Sequence, residues 1–112
     1  MEVTRKQSGL LKVGIAILAI ATAGIHFSLA LTDPSVRVIF TLNMLGYLSF
    51  LAALLLPLPI VRNHRRLVRF GFIGFTLLTI TLWVLIGMRT PTGYTDKAIE
   101  ILLVVLLFLE RP

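Results

Sequence analysis

The chain has 112 residues, 57% hydrophobic and 14% charged, with 11 basic against 5 acidic side chains and no cysteine. Soluble domains carry about a quarter charged residues, so this composition excludes an ordinary soluble globule. The absence of cysteine excludes disulfide staples, thiolate metal sites and CxxC redox chemistry.

The apolar residues fall in four long stretches. A membrane-crossing helix needs roughly 20 such residues. The expected fold is an all-α membrane protein, one domain over residues 1–112, with four transmembrane helices at about 10–31, 34–56, 64–88 and 95–109 and short loops between them.

The first stretch follows Arg5, Lys6 and Lys12 and ends near "SLA" at Ser28–Ala30. That pattern also fits a secretory signal peptide cleaved after Ala30. We read it as a first transmembrane helix. Within it, Ala16, Ala19, Ala23, His26 and Ala30 recur at spacings of three and four and share one face. Close approach through small residues drives helix association in lipid, so this face is the expected seam, with His26 on it.

"TDPS" places Asp33 as a cap with Pro34 at the first helical position of helix two. On that helix Asn43, Gly46 and Ala53 form a similar stripe, with Tyr47 one turn from Asn43. "PLP" at Pro57–Pro59 ends it, because proline cannot donate to the helical ladder. "RNHRR" follows, with Asn63 as the expected cap of helix three, on which Thr76, Thr79, Trp83 and Gly87 share a face. "TPTGYTD" makes the last turn, with Thr95 read as the cap of helix four and Asp96 at its positive end. That start leaves helix four short.

Arg5, Lys6, Lys12, Arg62, Arg65, Arg66, Arg69 and Arg111 fall on one side of this topology, and Arg37, Arg89 and Lys97 on the other. The positive-inside rule then puts both termini in the cytoplasm. Arg62, Arg65, Arg66 and Arg69 are expected to meet anionic lipid headgroups and set topology, with no nucleic acid as partner.

All four helices carry a polar group toward the outer side. His26, Asn43, Tyr47, Trp83, Lys97 and Glu100 form the expected polar or ligand cluster, in which His26 meets Glu100 and Lys97 pairs with Glu100 at the i,i+3 spacing. Ala19, Ala23, Gly46 and Ala53 are the expected packing positions. No nucleophile–base pair or metal-ligand cluster is visible, so no enzyme activity, no metal and no bound cofactor is expected.

The expected function is a non-catalytic accessory subunit of a larger membrane complex, of the electron-transport kind (respiratory or photosynthetic), with other transmembrane subunits as partners. A small transporter and a pigment- or quinone-contacting subunit using His26 are the alternatives. Length and helix number resemble small multidrug resistance transporters, whose essential acid lies in helix one; here helix one holds Thr22 and His26, and the membrane carboxylate is Glu100. The imidazole beside Thr22 and Ala23 resembles the pigment-binding histidine of light-harvesting polypeptides, with Thr22 where those carry alanine. "AGIHFSLAL", "LNMLGYLSFLAALLLP" and "GYTDKAIEILLVVLL" together resemble small four-helix bacterial and archaeal membrane proteins. That resemblance implies the membrane fold and no activity.

Overall fold

The computed structural model describes residues 5–56, 59, 63–87 and 90–110, with side chains from Gly9 onward. Among the described residues four helices follow one another: α1 (Arg5–Thr32), α2 (Arg37–Leu55), α3 (Arg65–Ile86) and α4 (Pro91–Leu109), with a 3₁₀ turn, Pro34–Val36, between the first two. Each packs against its two neighbours, closing a ring α1–α2–α3–α4–α1. One end of the bundle holds the Pro34–Val36 turn and the α3–α4 connection. The other holds the start of α1, the end of α4 and the α2–α3 connection. We call these the turn end and the termini end.

Local chemistry explains most of the boundaries. Asp33 accepts from the Ser35 N–H at 3.0 Å and the Ser35 hydroxyl at 2.7 Å, capping the 3₁₀ turn with Pro34 at its first position. Arg37 reaches back from α2 and donates to the Ala30 carbonyl at the end of α1. Two expected caps are not used. His64, not Asn63, occupies the cap position of α3, and its side chain makes no capping bond. Thr90 caps α4 by accepting from the Gly93 N–H at 3.0 Å, with Pro91 next to it, so α4 starts four residues ahead of Thr95. Thr95 instead lies inside the first turns and donates to the Pro91 carbonyl. Pro57, Arg62 and Arg89 lie outside the described residues.

Ile15, Ala19 and Ala23 of α1, Tyr47, Leu51 and Leu54 of α2, Phe72 and Ile73 of α3, and Leu103 and Leu107 of α4 form the core. Of the expected packing positions, Ala19 and Ala23 are buried, and Gly46 and Ala53 half-buried. A Cβ on Gly46 would collide with the Phe75 ring, so α2 and α3 approach closely there. Gly14 plays the same part between α1 and α4, where a Cβ would lie 2.8 Å from Leu106 Cδ1.

The exterior is apolar. Val38, Leu67, Leu85 and Ile86 are each 70% exposed or more, and such faces run along every helix. Water does not tolerate contiguous apolar surface on this scale, and a lipid bilayer requires it. Three segments, Gly9–Thr32, Pro34–Leu55 and Arg65–Ile86, are long and apolar enough to cross a membrane. The protein therefore has the build of an integral membrane protein.

Candidate functional site

The early start of α4 decides where its polar residues point. Asp96, Lys97, Glu100, Leu103 and Leu107 are its buried residues, at spacings of one, three and four. Residues so spaced lie on one face of a helix, and this face turns to the bundle axis. Charged side chains are almost never this buried unless paired. Here Glu100 is 0% exposed, Asp96 3%, His26 4% and Lys97 7%.

They are paired with each other. Lys97 Nζ lies 3.1 Å from Asp96 Oδ2 and also donates to Glu100 Oε1, so one ammonium bridges both carboxyl groups. Tyr47 Oη donates to the other Glu100 oxygen at 2.5 Å, across the ring from α2 to α4. Thr22 Oγ1 donates to Asp96 Oδ1 at 2.5 Å, joining α1 to α4. Asn43 Nδ2 donates to Thr79 Oγ1 at 2.9 Å, tying α2 to α3 beside the network.

The imidazole of His26 is fixed by its neighbours. Nδ1 lies 2.8 Å from the Thr22 carbonyl oxygen, which can only accept, so Nδ1 carries a proton. Nε2 faces Asp96 Oδ2 at 3.6 Å. The ring packs edge-on against Phe40, with centroids 5.2 Å apart. His26 thus faces Asp96 first rather than the expected Glu100. Both nitrogens face protein groups.

Donor atoms of His26, Asp96 and Glu100 lie within 4.8 Å of one another, a spacing that metal ligands also adopt. The position between the carboxyl groups is filled by the Lys97 ammonium, so the cation of this site is part of the chain.

The structure brings His26, Tyr47, Lys97 and Glu100 of the expected cluster together and places Asn43 beside them through Thr79. Trp83 stands elsewhere, edge-on to Tyr94 with centroids 5.1 Å apart near the turn end. Two members were missed from sequence, Asp96 and Thr22. The i,i+4 pairs Asp96/Glu100 and Thr22/His26 were the available signal. Reading Thr95 as the cap hid the first pair by making Asp96 a dipole partner at the helix end.

At the termini end the arginines also turn inward. Arg69 Nη1 donates to the Glu110 carbonyl at 2.8 Å, and Arg65 Nη2 lies 3.8 Å from Glu110 Oε1. Arg66 is exposed, its guanidinium 5.6 Å from the Phe70 ring centroid. Arg65 and Arg69 therefore hold the end of α4 in addition to any role at headgroups.

Compared with known protein families, curated proteins and solved structures, the chain finds no significant match, so its function is argued from this geometry.

Proposed function

We propose that the protein is a non-catalytic transmembrane subunit of a larger membrane assembly, and that its buried network binds one exchangeable proton. The charge count of the network carries the reading. Asp96 and Glu100 bring two negative charges, Lys97 one positive, and His26 none when neutral. Burying an unbalanced charge costs several kcal/mol even after relaxation, as an order of magnitude. One further proton, shared among His26, Asp96 and Glu100, balances the set. His26 Nε2 facing a carboxylate oxygen supports this, because a lone pair and an anion repel unless a proton lies between them.

In this reading α4 is a fourth span. Its 19 residues reach about 28 Å at 1.5 Å per residue, close to the hydrocarbon thickness, and its three charges all face inward. Arg65, Arg66 and Arg69 stand at the termini end, which by the positive-inside rule supports a cytoplasmic termini end and an outer turn end. Ionisable groups inside a span mark proton relays and ion sites. Electron-transport assemblies, which couple electrons to protons, are where such a subunit fits.

Infrared titration in lipid nanodiscs tests the proton site. A protonated-carboxyl C=O band that comes and goes with pH is expected. A titrating band left unaltered by both Asp96→Asn and Glu100→Gln contradicts the reading, because it then belongs to other carboxyls such as Asp33. The subunit role is tested by extracting the protein from its own membrane in mild detergent. Co-purification of a stoichiometric set of other membrane chains supports it, and a lone chain or homodimer overturns it.

A further inference from the structure

Resting on the proton-binding reading above, we infer that the network exchanges its proton with one side of the membrane only, the side faced by the Pro34–Val36 turn. The chain alone then carries no proton across.

Polar groups are distributed unevenly along the bundle axis. All of the network is buried; His26 and Lys97 lie toward the turn end, and Tyr47 and Glu100 lie deeper. Beyond Asp96 in that direction come Thr95, Thr92 and the Thr90 cap, all exposed. Glu100 is midway along α4, nine residues from Pro91 and nine from Leu109, or about 13 Å from each end.

On the other side of Glu100 the core turns apolar. Ile15, Leu51, Leu54, Phe72, Leu103 and Leu107 fill it from all four helices, none more than 7% exposed. Phe50 and Phe72 stack there with centroids 5.5 Å apart. The Thr76 hydroxyl, beside Tyr47, donates to the Phe72 carbonyl of its own helix at 2.9 Å and so passes nothing onward.

Facing the network, α1 contributes His26 and the hydroxyl of Thr22, α2 Tyr47, and α4 Asp96, Lys97 and Glu100; among the described residues α3 contributes only the hydroxyls of Thr76 and Thr79. The next proton carrier along α4 is Glu110, ten residues past Glu100, or about 15 Å. A proton needs donors and acceptors about 3 Å apart to move between heavy atoms. Arg69, which reaches into the termini end, does not deprotonate. Uptake therefore takes a proton from water at the turn end onto His26 Nε2 or a carboxylate oxygen. Release returns it to that water, and no electron moves.

The test uses sealed proteoliposomes in which a single cysteine, Thr92→Cys, reports orientation through a membrane-impermeant thiol reagent. Trapped pyranine reports the internal pH. The external pH is stepped, and the carboxyl band is read before the interior changes. An ionophore then equalises the two sides. The share of the band that responds to the external step alone should equal the share of molecules with Thr92→Cys labelled from outside. The remainder should respond only after ionophore. A response without ionophore larger than the labelled share, or one that follows the unlabelled share, would overturn the inference while leaving the proton site intact. A band that never responds, even in uniform buffer, overturns the proton-binding reading and this inference with it.

Discussion

Thr22 and Asp96, 74 positions apart in the chain, are joined by a 2.5 Å hydrogen bond that fastens α1 to α4. The same Thr22 offers its backbone carbonyl to His26 Nδ1, so one residue orients both the imidazole and the carboxyl group it faces.

That arrangement predicts coupling between His26 and Asp96. His26→Ala and Asp96→Asn should each destabilise the bundle, and their effects should fail to add by about 0.5–3 kcal/mol in a double-mutant cycle. Glu100→Gln should couple less strongly to His26→Ala than Asp96→Asn does. Reversible unfolding in mixed micelles measures both. Additive effects at His26 and Asp96 would contradict the pairing.

Tyr47→Phe removes one hydroxyl and leaves Glu100 Oε2 without its donor. Hydrogen bonds to charged groups are worth about 1.5–3 kcal/mol, and a loss in that range is expected. The ring should stay in place against Phe75, whose centroid is 5.0 Å away. A change in the infrared band of Glu100, with helical content unchanged by circular dichroism, checks both parts.

Two helical glycines should behave oppositely. At Gly46 a new Cβ meets Phe75, itself packed against Phe50 and Tyr47, so the ring has little room to move. Gly46→Ala should cost about 1–3 kcal/mol, as overpacking does. A Cβ on Gly24 meets nothing within 4 Å. Gly24→Ala should leave the melting temperature unchanged or slightly higher.

At the termini end the arginines should separate by role. Arg69→Gln removes the donor to the Glu110 carbonyl and should loosen the last turn of α4, read as faster amide exchange there. Arg66→Gln, exposed and engaged only with Phe70 among the described contacts, should leave that exchange unchanged. Equal effects would mean that Arg69 is no more than a surface charge.

Bonds from Ser35 hold the exposed Asp33 carboxyl below its ordinary value of 3.8. A carboxyl depressed on folding adds stability above its unfolded pKa and loses it as pH falls through the folded one. The cap should therefore be complete at neutral pH and fail only below that ordinary value. Ser35→Ala should raise the Asp33 titration toward 3.8, as a carboxyl-carbon NMR titration would show.

The sequence was most legible where one physical rule acts alone. Apolar length marked helices at about 10–31 and 64–88, where the structure has Gly9–Thr32 and Arg65–Ile86 long and apolar enough to cross a membrane, and the spacing of Ala19, Ala23 and His26 marked the inward face of α1. It failed where two signals competed. Thr90–Pro91 and Thr95–Asp96 both look like helix starts, and only packing decides that α4 begins at the first. That choice moves Asp96 from a helix end to the bundle axis and Glu100 to mid-helix. Trp83 packs edge-on against Tyr94, a contact between α3 and α4 that no local pattern states. The inward turn of Arg65 and Arg69 depended on where α4 ends, which no local pattern states.

The measurement that tests the central claim most directly is pH-titrated infrared spectroscopy of the wild type beside Asp96→Asn, Glu100→Gln and His26→Ala in lipid nanodiscs. Apart from exposed carboxyls such as Asp33, the account predicts one titrating carboxyl proton in the wild type, with a midpoint that shifts in all three variants because the proton is shared. A carboxyl band that is absent from the wild type, or unmoved by His26→Ala and by both carboxyl variants, would contradict it.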